Sequence, residues 1–544
     1  MKKTALFLLL PCTLSFLPAL VFPNKAQTQA QTQAQIETET QRKISPEMEI
    51  DVGIVQRFGD EAGDRLTLSS TEGDTLTVKF QDGNGQLKTE NVSNIVLEIA
   101  PKSVESPLLQ EWIVLSDVAT FETAENSALE WQEKGIEVEV VQPGRWQVWA
   151  KRETYNTPIL RRMLLENLQE RGETNPYLQS EVLNTVPIVS FVINGFRYNR
   201  SNLEITSNKN LIRVKEKDNT ILFGGSLRVQ PNSYGNFTLV NEVPIEVYLR
   251  GVVPHEIGPN APYNSVEAQT VIARTYALRN LRRFQADNYE LCATVHCQVY
   301  KGLTGTVANA DRAIQATRGL VLTHNDELVD ALYSAHTGGV TAQFEDIWDG
   351  KPRPYLRARI DGANPQWNLA QQPLNNEANF RRFISSKQGF NGTESPVFRW
   401  NRQSSIAQLT EDLNKYLEKT KHPLAGIKKI LRMAVTERSP SGRILLFTIE
   451  TDRGVVELQK TEARSAFGPP RSTLFYIDPI LDASGNLTGY KFIGGGFGHG
   501  VGLNQYGSYT LANLGWKYDR ILQFYYPGTV LQQLREGIVF YPES

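Results

Sequence analysis

NEVPIEVYLRGVVPHEIGPNAPYNSVEAQTVIARTYALRN occupies residues 241–280. Its first half continues a β-rich run (NLEITS, LIRVKE, ILFGGSLRVQ, NFTLV), and its second half turns to helix. Between Ser265 and Phe284, Ala268, Val271, Ile272, Thr275, Leu278 and Leu281 recur at three- and four-residue spacing, the stripe of an amphipathic helix. Asn264, with Glu267 three positions on, reads as its cap. Pro254 and Gly258-Pro259 predict a loop before that helix, and the loop holds Glu256 among Val252, Val253, Pro254 and Ile257. A carboxyl group flanked in this way is desolvated, which raises its pKa and keeps it protonated near neutral pH, as a general acid requires. A loop glutamate taken alone is more commonly a solvated surface residue. The text around it has to decide.

Working toward the N-terminus, residues 111–195 alternate strand and helix signals. EWIVLSDV is a strand, TFETAENSALEWQEKG a helix stopped by Gly135, and IEVEVVQP and GRWQVWAKRE two strands about Pro143-Gly144. TPILRRMLLENLQERG is a second helix with Pro158 near its start and Gly172 at its end, and PIVSFVING a last strand. The order is β-α-β-β-α-β. Residues 49–100 read as short strands separated by GDEAGD, EGD and QDGNG turns, a small β-module. Residues 26–41, AQTQAQTQAQIETETQ, carry no apolar face and read as a tether. Before them, a basic start and an apolar stretch broken by Pro11 and Pro18 have the form of a secretory signal, so an exported product is expected. The expected segments are therefore a signal (1–25), a linker (26–45), a β-module (46–105), a βαββαβ module (106–197) and a large mixed block (198–544). The fold class is α+β and multidomain, in keeping with 544 residues.

Charge selects no polyanionic partner: 57 Lys and Arg against 59 Asp and Glu lack the basic footprint of a nucleic-acid binder. No segment after the signal is apolar enough to predict a membrane span. Three cysteines are too few for a disulfide-stapled scaffold, so the cores must rest on apolar burial. Cys12 belongs to the signal. The other two stand in CATVHC, where Cys292, His296 and Cys297 suit zinc if a fourth donor such as Asp287 closes the tetrahedron. A Cys292–Cys297 disulfide or free thiols are the other readings of the same pair.

Two further motifs attract attention. Tyr333-Ser334-Ala335-His336-Thr337-Gly338-Gly339 carries small and hydroxyl-bearing residues, and Ser334, His336 and Asp361 can be imagined as a hydrolase triad. No G-x-S-x-G elbow surrounds Ser334, which argues against it. The glycine-dense GGGFGHGVGLNQYG (494–507) lacks the G-K-[ST] element of a phosphate loop, and its glycines are equally compatible with tight packing around a core His499.

Taken together, NEVPIEVYLRGVVPHE, AQTVIARTYALRN, CATVHCQVYKG, YSAHTGGVTAQFEDIWDGKPRPYLRARID and GGGFGHGVGLNQYGSYTLANLGWKYDRILQFYYPGT resemble, in order, blocks of the SpoIID/LytB family of bacterial cell-wall proteins. The resemblance spans roughly residues 200–530. It implies a lytic transglycosylase acting on peptide-free glycan strands of peptidoglycan, with Glu256 as acid/base. It also implies substrate contacts from Arg274, Tyr276, Ser334, Thr337, Gly338, His499, Gln505 and Tyr506, and a structural zinc at Cys292, His296 and Cys297. Family members with an upstream histidine ligand differ from this chain, which has Phe284, Gln285, Ala286 and Asp287 there. Some relatives are amidase enhancers, so a non-catalytic role beside a cell-wall amidase is the alternative. A hydrolase would want a second carboxylate, for which Glu242, Glu246 and Asp361 are candidates. The βαββαβ order resembles the SPOR domain, which implies glycan binding by that module.

Overall fold

The computed structural model describes residues 45–61 and 63–541. The signal segment 1–25, Cys12 and the tether up to residue 44 lie outside the described residues. The chain is α+β, as its patterning predicts, and built on several sheets.

The first sheet has seven strands in the order Leu291–Cys292, Glu49–Phe58, Phe237–Pro244, Ser226–Pro231, Leu203–Ser207, Leu76–Gln81 and Leu87–Val92. The second has eight and is built around Asn94–Val118, a strand of 25 residues. Pairing in both runs across the expected segment boundaries. Glu49–Phe58 pairs with Phe237–Pro244, and Leu76–Gln81 pairs with Leu203–Ser207. Asn94–Val118 pairs with Arg65–Ser70 and, along most of its length, with Tyr177–Ile193. Neither residue 105 nor residue 197 therefore ends a sheet. Alternation of apolar and polar residues marks a strand, but it carries no information about which distant strand completes its hydrogen bonds.

The βαββαβ order is present. Asn94–Val118 leads to α1 (Phe121–Glu133), then Val138–Val141, Trp146–Ala150, α2 (Pro158–Glu170) and Tyr177–Ile193. Thr120 and Thr157 cap the two helices, each accepting from the backbone N–H three residues on. Trp146–Ala150 lies between Val138–Val141 and Asn94–Val118, Tyr177–Ile193 pairs on the far side of Asn94–Val118, and all neighbours are antiparallel. This is the split βαβ topology.

Phe237–Pro244 feeds directly into α3 (Ile245–Glu256), where a loop was expected. Ile245, Tyr248, Leu249, Val252 and Val253 are buried at helical spacing, and their burial outweighs the helix-breaking tendency of Gly251 and Pro254. Gly251 is required by close approach, because a Cβ there would sit 2.1 Å from the carbonyl oxygen of Gly302. The following helix, α4 (Tyr263–Arg279), starts one residue before the expected cap and ends short of Phe284. Pro262 precedes it, so Asn264 lies inside the helix and caps nothing. Its residues are buried on every side from Ser265 to Arg279, which makes it the central helix of the block.

After α5 (Ala308–Ala316), residues beyond about 370 build a subdomain of their own. It comprises α6 (Glu377–Ser385), α7 (Ile406–Lys419), α8 (Glu462–Ser465) and two three-stranded sheets. Trp400, Leu409, Leu413, Phe447, Phe475 and Phe492 form a core separate from the main one. The chain then returns through residues 496–502 to α9 (Gln505–Asn513) and α10 (Tyr518–Tyr525). α9 begins directly after the glycine-dense loop. Gly507 disguises its first turn, and that turn carries Gln505.

Candidate active site

Glu256 is the last residue of α3, half-buried at the edge of the main core. The loop after Cys297 lies against α3 at Gly251, with Lys301 N–H donating to the Gly251 carbonyl at 3.0 Å. That contact brings Val299 into reach, and its N–H donates to Glu256 Oε1 at 2.7 Å. The Tyr333 hydroxyl lies close enough to act on the Glu256 carboxyl group and pull its pKa down. That hydroxyl is itself placed by a chain of hydrogen bonds: Tyr248 Oη donates to Gln298 Oε1 at 3.3 Å, and Gln298 Nε2 donates to Tyr333 Oη at 3.1 Å. Burial raises the Glu256 pKa above the ordinary carboxylate range, and the Val299 and Tyr333 hydrogen bonds pull against that rise. Gln505 Nε2 donates to the Glu256 carbonyl at 2.9 Å and Tyr509 Oη to the Ile257 carbonyl, so α9 clamps the end of α3.

The other expected site residues divide into three groups. Tyr276, Gln505 and Tyr506 stand around this centre. Tyr276 is buried, its ring 6.4 Å from that of Tyr333, while Tyr506 is 39% exposed. Ser334 and His499 lie beside it. Ser334 Oγ is buried with no hydrogen-bond partner among the described residues, and His499 packs on Trp348 at 5.0 Å. Burial, aided by Arg464 and Arg443, lowers the His499 pKa to about 3, so the imidazole is neutral and Nδ1 accepts from Val501 N–H at 3.0 Å. Arg274, Thr337 and Gly338 are interior. Arg274 is fully buried and forked onto Glu246, with both N···O distances 2.8 Å. Thr337 Oγ1 donates to Asp361 at 2.5 Å, and a Cβ on Gly338 would meet the Gly495 backbone at 2.7 Å. These three hold the fold and offer a substrate no surface.

Among the described residues, none of the three candidate second carboxylates is left over for Glu256. Glu246 has both oxygens on Arg274, and Asp361 accepts from Thr337, Asn391, Asn504 and Tyr525 in a closed buried network. Glu242 accepts from the Ser226 hydroxyl. The imagined triad is likewise absent: His336 Nε2 donates to the Gly392 carbonyl, and Nδ1 accepts from Gly338 N–H. Cys292 and Cys297 are joined in a disulfide. Asp287, the candidate fourth ligand, accepts from Ser233 N–H at 2.8 Å, and His296 is exposed. Paired sulfurs are not thiolates, so the donor set in this state does not fit zinc. A cavity of about 320 Å³ lies between α1 and the end of α4, but its four arginines, Arg279, Arg282, Arg283 and Arg353, are each paired with a carboxylate. Glu256 does not line it.

Residues 233–324, which hold α3, Glu256, α4 and the disulfide, match the family described as Stage II sporulation protein. The chain carries a SpoIID domain. Residues 342–502 match a second family, described as a domain of unknown function. The amidase enhancer of Bacillus subtilis (strain 168) is 29% identical over 397 residues, 65% of this chain and 52% of that protein. The stage II sporulation protein D of the same organism is 23% identical over 309 residues, covering 54% and 76% of the two chains. An uncharacterized protein of Brachyspira hyodysenteriae is 28% identical over 322 residues, covering 57% and 72%. The chain thus spans about half the length of the amidase enhancer it matches. Sequence reasoning missed Tyr333, Gln298 and Val299 as parts of this SpoIID site. Tyr333 opens the YSAHTGG block, and the other two directly follow Cys297, so the staple that positions them was the available signal.

Proposed function

We propose that this protein is an exported lytic transglycosylase that cleaves peptidoglycan glycan strands between N-acetylmuramic acid and N-acetylglucosamine. One observation carries the reading: a half-buried carboxyl group, raised by burial and held by Val299 N–H beside the Tyr333 hydroxyl, with the candidate carboxylates Glu246, Asp361 and Glu242 engaged elsewhere. One acid/base suffices if the substrate supplies its own nucleophile. Protonated Glu256 gives its proton to the glycosidic oxygen as the bond to muramyl C1 breaks. The resulting carboxylate then takes the proton from the muramyl C6 hydroxyl, whose oxygen closes onto C1 and leaves a 1,6-anhydro ring. A hydrolase would need a second carboxylate to activate water. The disulfide supports an oxidising, extracytoplasmic compartment. Among the described residues no helix is long and apolar enough to cross a membrane.

Purified protein incubated with amidase-stripped glycan should release anhydromuramyl ends by mass spectrometry. Glu256→Gln should lower the rate by about 10²–10⁴-fold. Equal product from that variant would remove Glu256 from the mechanism, and reducing ends without the anhydro ring would replace it with hydrolysis. The relative named amidase enhancer favours one second reading, in which the chain binds glycan and stimulates a wall amidase. Stimulation of an amidase by the Glu256→Gln protein at the wild-type level, with no anhydromuramyl product from either, would select it. The βαββαβ module is proposed as an additional glycan contact on its topology alone.

A further inference from the structure

Two guanidinium groups stand beside the 494–502 loop without an anion to meet them. Both come from the inserted subdomain. Arg471 lies over the ring of Phe497, 5.5 Å from its centroid, and its carbonyl accepts from Gly498 N–H at 3.1 Å. Arg464 lies close enough to His499 for its charge to act on that imidazole. Both are half-buried, and among the described residues neither side chain makes a hydrogen bond or an ion pair. Other enclosed arginines of the chain have polar partners: Arg274 and Arg283 meet carboxylates, and Arg399 and Arg443 donate to backbone carbonyls, although Arg443 leaves Nε and Nη1 without one. Partly desolvating a cation without a counter-charge is costly, so two such groups at one loop call for an anionic ligand.

The same place offers a sugar-sized platform. Phe497 is 46% exposed and exchanges two backbone hydrogen bonds with His336 (2.8 and 3.1 Å), while Tyr506, also exposed, donates its N–H to the adjacent Ala335 carbonyl. Exposed aromatic faces suit the C–H face of a pyranose. Tyr333, two residues from Ala335 in the same segment, reaches Glu256. The cations therefore border the candidate catalytic centre.

We propose that Arg471, with Arg464 beside it, binds the free carboxylate of a muramyl residue whose ring packs on Phe497. This rests on the reading of the protein as one that acts on glycan strands. When a stem peptide is present, the lactyl carbon is an amide and carries no charge. After the peptide is removed it is a carboxylate, which matches the planar fork of arginine. The inserted subdomain thereby becomes the part that distinguishes stripped from substituted strands.

The test uses the full-length Glu256→Gln protein, so that binding is read without cleavage. Its affinity is measured for denuded strands and for the same strands after methyl esterification of their lactyl carboxylates. Esterification should weaken binding roughly ten-fold, the scale of one charge-assisted pair. Arg471→Gln added to this background should weaken binding to free strands by a similar factor and leave the esterified strands unaffected, so the ratio falls to about one; Arg471→Lys should keep part of it. Matching melting temperatures exclude unfolding as the cause. A double Arg464→Gln, Arg471→Gln protein that still prefers free strands by the full ratio overturns the proposal. Equal binding of both strands by the Glu256→Gln parent overturns the carboxylate reading alone, and failure to bind either overturns the glycan reading with it.

Discussion

The Tyr333 hydroxyl pulls the Glu256 pKa down and so opposes the burial that raises it. Removing that hydroxyl gives a signed expectation. A hydrogen bond to the carboxylate lowers its pKa, so Tyr333→Phe should raise the Glu256 pKa further. The protonated acid then persists to higher pH, and the alkaline limb of the kcat/KM profile should move up, with a lower rate at the optimum. A limb that stays in place, or moves down, would detach it from this pair. His499 cannot supply that limb, because at about 3 its pKa lies far below any working range. At this scale the sequence was partly legible. The apolar flanks of Glu256 announced a desolvated acid, and the acid is indeed raised. Val299 and Tyr333 lie 43 and 77 positions downstream, and nothing local to Glu256 names them.

Among elements, the seating of α4 on α3 depends on one ion pair. Arg274 on α4 forks onto Glu246 on α3, donates to the Leu320 carbonyl and is completely enclosed. Arg274→Ala would leave a carboxylate stranded in the core and should cost about 3–5 kcal/mol in urea unfolding, whereas Arg274→Met with Glu246→Leu should cost much less. A loss under about 1 kcal/mol for the single variant would contradict the buried-pair account. The disulfide offers a second case. It closes a loop with a sequence separation of five, for which the chain-entropy account gives about 2 kcal/mol. Gln298 and Val299 leave directly from that loop, so reduction should lower both stability and activity, and stability changing alone would uncouple the staple from the site. Helix positions were readable from spacing where the apolar stripe was long, as in α4. α3 was hidden by Gly251 and Pro254, residues whose cost is visible locally while the burial that offsets it is not.

Across the whole molecule, strand pairing ties the N-terminal modules to the SpoIID domain. Ile50 pairs with Val243, Trp146 packs 5.2 Å from Phe284, and Arg282 and Arg283 are paired with Glu125 and Glu122 of α1. A fragment of residues 106–197 would cut Asn94–Val118 in two and strip this packing, so it should give no cooperative melt and a collapsed amide spectrum. A dispersed spectrum with a sharp transition would mean the module folds alone. The sequence by itself determined most strands and the long central helix, the α+β class and the ordered SpoIID blocks, and it singled out Glu256 as a desolvated carboxyl group, because periodicity, turn chemistry and motif spacing are local properties of the chain. Only the tertiary structure decided that the modules share sheets, that Arg274 and Thr337 are interior, and that the cysteines pair. It also decided that Tyr333 and Val299 converge on one carboxyl group. Those outcomes depend on contacts between residues far apart in the chain, whose partners are chosen by burial and backbone hydrogen bonding across the folded molecule rather than by neighbours in the text.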